Sequence, residues 1–193
     1  MIGAVEVMPA RKLILIRHGE KEPDAGPPPY GVDGNGEQDK HSLSPRGWQR
    51  SGALVEFFRK PWAAGIETPD AIYASMVGAI PVLADGVDVS KSLRPQQTVT
   101  PLIEALAPAI VLQTPFAVGE ETQLAERIQQ SENGVVLIAW EHHHIPVIAA
   151  IFCSNAPDDW SGDRYDDVWI LNRSNDGSYA FVETPQSLLS GDV

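Results

Sequence analysis

Two histidines stand at matching places in this chain, each just after an apolar run. Leu13-Ile14-Leu15-Ile16 leads into Arg17-His18-Gly19-Glu20, and Val135-Val136-Leu137-Ile138-Ala139-Trp140 leads into Glu141-His142-His143-His144. A neutral imidazole can attack phosphorus as a nucleophile. A second imidazole carrying a proton can hold the non-bridging oxygens while their charge builds. Arg17 adds a planar, permanently charged donor fork for the same oxygens. The combination suits phosphoryl chemistry. A phosphate dianion calls for another cation, and Arg94 is the best placed. It lies in Ser92-Leu93-Arg94-Pro95-Gln96-Gln97-Thr98, at the predicted mouth of a helix, where backbone amides and the helix dipole favour phosphate.

Positioning these side chains is work for a sheet. A continuous apolar run closed by a glycine suits a strand covered on both faces, and ligands collect at the carboxyl ends of such parallel strands. Ser44-Pro45 reads as an N-cap and first helical residue, opening a helix through Trp48, Leu54 and Phe57-Phe58 that ends before Pro61. Further strands are expected at Ala71–Ser75, Ala109–Leu112 and Val135–Trp140. Helices are expected from Pro95 towards Leu106 (Pro101 starting or kinking its second part), over Glu120–Gln130 and over Ile145–Phe152. Asp167–Leu171 and Tyr179–Val182 flank Asn175-Asp176-Gly177 and read as a hairpin at the sheet edge. Residues 76–93 mix apolar positions with Gly78, Pro81 and Gly86 and read ambiguously, and the tail from Pro185 carries no clear pattern. Strand and helix alternate, which argues for a three-layer α/β/α sandwich with a mostly parallel sheet. A single domain over residues 1–193 is expected, with residues 1–10 as a flexible lead-in. Residues 22–41, rich in Pro and Gly, form a loop that is either a lid on the site or a surface insertion.

Composition narrows the class. The net charge of −12 argues against a nucleic-acid partner and against anionic membranes, while leaving room for a small anion held by local arginines. No segment has the length of a transmembrane helix, and the first residues, with Glu6 and no early Lys or Arg, do not read as a secretory signal. The single cysteine, Cys153, beside Ile151 and Phe152, reads as a buried, inert thiol. It excludes an internal disulfide and fits a cytoplasmic setting.

Arg17-His18-Gly19-Glu20 resembles the signature of the histidine phosphatase superfamily, which includes the cofactor-dependent phosphoglycerate mutases. Three further segments resemble it in order: Leu43-Ser44-Pro45-Arg46-Gly47-Trp48-Gln49, Arg94-Pro95-Gln96-Gln97-Thr98, and Val136–His142, together spanning about residues 12–150. The resemblance implies a phosphoglycerate mutase-like fold and a phosphohistidine intermediate on His18, released by water. Arg17, Arg94 and His142 would form the phosphate pocket. It implies a histidine acid phosphatase-type phosphomonoesterase acting on a small phosphorylated substrate or a phosphoprotein, without metal or organic cofactor. The rivals are a mutase that returns the phosphoryl group to bound product and a phosphate-binding module with little turnover.

The chain departs from that pattern in three places. Residues 76–93 separate Ser75 from Arg94; Glu141 and His143 flank His142 where serine and glycine are usual; and Leu112-Gln113-Thr114-Pro115 lacks the expected acid. Glu141, Glu120 and Glu121 remain as proton donors. Glu141 is favoured because it adjoins His142, with a raised pKa expected near phosphate. Alternatively it orients an imidazole. His143 and His144 read as bystanders. The run His142-His143-His144 does not read as a metal site, since three consecutive residues of a regular element cannot all face one ion. Activity is expected to fall as His18 becomes protonated.

Overall fold

The computed structural model describes residues 9–78 and 91–192. Most of the ambiguous stretch 76–93, and most of the lead-in, lie outside the described residues. Ten elements follow in order: β1 (Lys12–Arg17), α1 (Pro45–Arg59), β2 (Ala71–Ala74), α2 (Arg94–Leu106), β3 (Leu112–Gln113), α3 (Glu121–Ser131), β4 (Val135–Trp140), α4 (Ile145–Phe152), β5 (Asp167–Arg173) and β6 (Tyr179–Pro185).

The strands form one sheet in the order β3-β2-β4-β1-β5-β6. The first four in that order are parallel, and β5 and β6 close one edge as an antiparallel hairpin. The two strands that end in the histidine motifs are direct parallel neighbours, with Arg17 opposite Trp140.

Period-2 alternation divides the buried side chains between two layers of helices. Leu13, Leu15, Val136 and Ile138 face Leu124 and Ile128 of α3 and Ile145 and Ile148 of α4. Ile14, Ile16, Val135 and Leu137 face Leu54, Phe57 and Phe58 of α1 and Val99 and Leu102 of α2. Both faces of β1 and β4 are therefore covered, which is why these strands read as unbroken apolar runs.

One local expectation shifts. β3 is a two-residue strand at Leu112–Gln113, not Ala109–Leu112, because the chain is still turning after α2, with Ala109 N–H bonded to Leu106 O at 3.0 Å. Ala10, just before β1, is fully buried, and its carbonyl accepts from the Tyr179 hydroxyl at 2.5 Å. The tail is also tied down: Gln186 is buried, and the Asp192 carboxylate accepts from the backbone of Leu188 and Leu189, each at 2.9 Å. Residues 22–41 form a loop as expected, holding one isolated bridge between Val32 and Gln38 and pinned to α1 by Trp48 Nε1 donating to Val32 O at 2.8 Å.

Candidate active site

Arg17 and His18 leave the carboxyl end of β1 together and are almost fully buried, at 2% and 5% exposure. His18 keeps the strand direction through its N–H, which donates to Trp140 O at 3.1 Å. The next residue must pass very close to the start of α1. A Cβ on Gly19 would lie 3.0 Å from Gly47 O, and one on Gly47 would run into the backbone of Glu20. Both glycines are needed for that crossing. Ser44 completes the join, capping α1 by accepting from Gly47 N–H at 3.2 Å and donating to Glu20 O at 3.0 Å. The start of α2 docks on the same turn: Gly19 N–H donates to Thr98 Oγ1 at 2.8 Å, and Gln97 Oε1 accepts from Leu43 N–H at 2.8 Å.

His18 is held in one tautomer. Its Nδ1 lies 2.7 Å from Gly19 O, an acceptor only, so Nδ1 carries the proton and Nε2 keeps a free lone pair. Burial, then the neighbouring Arg17 and Arg94 charges, push the His18 pKa down to about 3. His18 therefore stays neutral well below the ordinary imidazole range, which moves the fall in activity expected on its protonation to lower pH.

Arg17 is clamped by a segment that sequence reasoning passed over. Its Nη1 donates to Gly162 O at 2.7 Å and to Arg164 O at 3.1 Å, and its guanidinium carbon sits 3.8 Å over the centre of the Tyr165 ring. The Tyr165 ring centre is 6.1 Å from that of His18. Burial lowers the Arg17 pKa, opposed by Tyr165 and Glu141. Its Nε is buried with no hydrogen-bond partner among the described residues. A buried guanidinium nitrogen without an acceptor is costly unless an anion completes it.

Arg94 opens α2 and donates through Nε to Ser42 O at 3.2 Å and through Nη2 to Lys40 O, fastening the end of loop 22–41 to the pocket. Burial lowers its pKa, with Tyr165, Glu22, Asp39 and Asp24 opposing. Tyr165 thus acts on both arginines.

Glu141 and His142 follow β4 in an irregular turn. His142 Nδ1 lies 2.5 Å from Glu141 Oε1 but off the line of a hydrogen bond, while its Nε2 faces Gly162, whose carbonyl holds Arg17. The raised pKa expected for Glu141 is not found. Burial favours its neutral form, but His142, His143 and His18 together hold it down at about 2. A carboxylate ionised so firmly is a poor proton donor. Glu120 and Glu121 are committed elsewhere: Glu120 accepts from Ala117 N–H at 2.8 Å, and Glu121 Oε1 accepts from Gly119 N–H at 2.8 Å and from Trp140 Nε1 at 3.0 Å. His144 lies against Glu121, with 2.9 Å between Nδ1 and Oε1, and His143 is largely exposed. Glu20 binds Arg46 and Arg50, and Ser75 offers its carbonyl to Gln96 at 2.9 Å.

No protein-family model and no curated protein matches this sequence. Solved structures do match in shape. A protein histidine phosphatase SixA complexed with tungstate aligns at TM-score 0.55 and 14% identity, over 91% of this chain and 97% of its own. A phosphoserine phosphatase from Entamoeba histolytica, complexed with phosphoserine, aligns at 0.54 and 15%, over 92% and 97%. A phosphoglycerate mutase from Plasmodium falciparum aligns at 0.52 and 12%, over 95% and 94%. All three belong to the histidine phosphatase superfamily. The chain has the phosphoglycerate mutase-like α/β fold of that superfamily.

Proposed function

We propose that the protein is a phosphatase of the histidine acid phosphatase type, hydrolysing phosphomonoesters through a phosphohistidine on His18. The observation that carries this reading is the state of His18: buried, neutral under the charges of Arg17 and Arg94, its proton fixed on Nδ1 by Gly19 O and its Nε2 lone pair left for attack. Nε2 attacks phosphorus, forming the N–P bond as the bond to the leaving oxygen breaks with its electron pair. Arg17, Arg94 and His142 hold the non-bridging oxygens, and the unpartnered Arg17 Nε–H donates to one of them. Water then attacks phosphorus, a proton is released, and His18 is regenerated as phosphate departs.

Glu141 is too firmly ionised to serve as the acid, and the reaction suits leaving groups that depart without an enzymic acid. That favours a second substrate class, phosphohistidine in a phosphoprotein. Its imidazole can take a proton from solvent at the other ring nitrogen before leaving. The SixA likeness at TM-score 0.55 supports the same class. With a net charge of −12, a soluble phosphate ester or phosphoprotein in the cytoplasm fits better than nucleic acid or an anionic membrane. Among the described residues no helix is long and apolar enough to cross a membrane.

The test compares the protein with His18→Ala on an aryl phosphate, a phosphohistidine peptide and a panel of alkyl phosphates. Expected are release from the first two, weaker release from alkyl esters, and a loss of roughly 10³-fold or more in the variant. Equal rates for both proteins would sink the phosphohistidine mechanism, and binding without turnover on every substrate would favour the phosphate-binding module.

A further inference from the structure

The turn after β4 brings together more than a phosphate ligand. Among the described residues, one trio of His, Cys, Asp or Glu side chains has its ligand atoms all within 4.8 Å of one another: Glu141, His142 and His143. On a regular element His142, His143 and His144 could not all face one ion, but this turn is irregular and its close trio is a different one. The backbone from 141 to 144 is neither helix nor strand, with Glu141 O accepting from His144 N–H at 3.1 Å and from Ile145 N–H at 3.2 Å. His144 faces Glu121, and the third ligand position falls to Glu141.

The geometry brings three possible ligand atoms close together. The His142 and His143 rings lie with centres 3.8 Å apart and planes tilted by 36°, and both Nδ1 atoms approach the same carboxylate oxygen. Glu141 Oε1 sits 2.5 Å from His142 Nδ1 and 3.1 Å from His143 Nδ1. The other carboxylate oxygen, Oε2, accepts from His143 N–H at 2.9 Å, which fixes the direction in which Oε1 points. Such outer support is what orients a ligating carboxylate. His142 Nδ1 is itself buried, and despite its closeness to Oε1 it has no aligned hydrogen bond. Its lone pair points beside the oxygen. An ion bridging two ligands lies off the line that joins them, so this misalignment suits coordination better than an ion pair.

We propose that Glu141 Oε1, His142 Nδ1 and His143 Nδ1 form a binding site for a zinc-class divalent cation. Two imidazoles and one carboxylate, with a fourth position open to water, is a borderline donor set that prefers zinc over magnesium or calcium. Around tetrahedral zinc such atoms stand about 3.4 Å apart, so side-chain adjustments of roughly an ångström close the site. The His143 side chain, 65% exposed, gives the ion its way in from solvent.

His143→Asn tests the site on the intact chain, with zinc binding measured by competition against a chromophoric chelator and folding checked by circular dichroism. The expected result is one zinc per chain, bound at least ten-fold more weakly by the variant. Failure of the native protein to take up zinc, or equal affinity in the variant, would overturn the proposal. Cobalt(II) added to the native protein gives an independent readout. Intense visible bands of a four-coordinate ion are expected, whereas the weak spectrum of six-coordinate cobalt would count against the site. Neither measurement depends on turnover.

Discussion

At the scale of single residues, the site turns on how Arg17 is held rather than on its presence. The motif residues Arg17, His18, Arg94 and His142 were all named from sequence, because reactive types directly after apolar runs are visible in one dimension. The clamp on Arg17 was not. Two of its parts are backbone carbonyls, of Gly162 and Arg164, which any residue supplies, and the third is Tyr165, in a polar segment without periodicity. A ring stacked on a buried guanidinium is worth about 0.5–2 kcal/mol, which corresponds to about 2- to 30-fold in rate if the fork is misaimed without it. Tyr165→Leu is therefore expected to lower kcat/KM on an aryl phosphate by that range. Tyr165→Phe, which keeps the ring, should stay within about two-fold of the native protein if stacking is the whole effect. A Phe variant as impaired as Leu would assign the role to the hydroxyl instead.

At the scale of elements, the order and type of nearly every strand and helix were legible, because β1, β4 and the helices that cover them obey clear periods. What the sequence hid is how the ends are tied. Glu20, one residue past the motif glycine, accepts from Arg50 Nη2 at 2.7 Å and from Arg46 Nε at 2.9 Å. Arg50 also donates to Asp192 Oδ1 at 2.8 Å and Gln186 Oε1 at 2.9 Å. One buried guanidinium thus joins the exit of β1, the body of α1 and the tail. The tail partners lie over a hundred positions from Arg50, and none of the group shares a pattern. Despite its burial, Glu20 and Asp192 raise the Arg50 pKa, and in return Arg50 offsets burial and brings Asp192 down to about 2. Arg50→Ala leaves two carboxylates, both largely buried, with only the more exposed Arg46 between them. The expected cost is about 3–5 kcal/mol in urea unfolding, with the neutral tail variant Asp192→Asn costing less. A loss below about 1 kcal/mol would show that the clamp is dispensable.

At the scale of the whole molecule, a neutral His18 is kept at the expense of stability in acid. Unfolded, His18 has the ordinary pKa near 6.5; folded, burial and the two arginines bring it to about 3. Between those values the unfolded chain binds a proton that the folded chain refuses, so acid pulls the equilibrium towards unfolding. Stability should rise with pH across this window and level off above it, at up to about 1.4 kcal/mol per pH unit. Other groups titrate nearby. Glu67, Glu141 and Asp192, each held near 2, act in the same direction lower down, while Asp167, raised by burial to about 6, acts in the opposite one. Comparing the native protein with His18→Asn at each pH removes what the two share. The stability of the variant relative to the native chain should then improve by about 2 kcal/mol between about pH 7.5 and pH 5. A constant difference across that range would mean that His18 takes up its proton in the folded state. It would then be charged, not neutral, where the proposed reaction needs its lone pair.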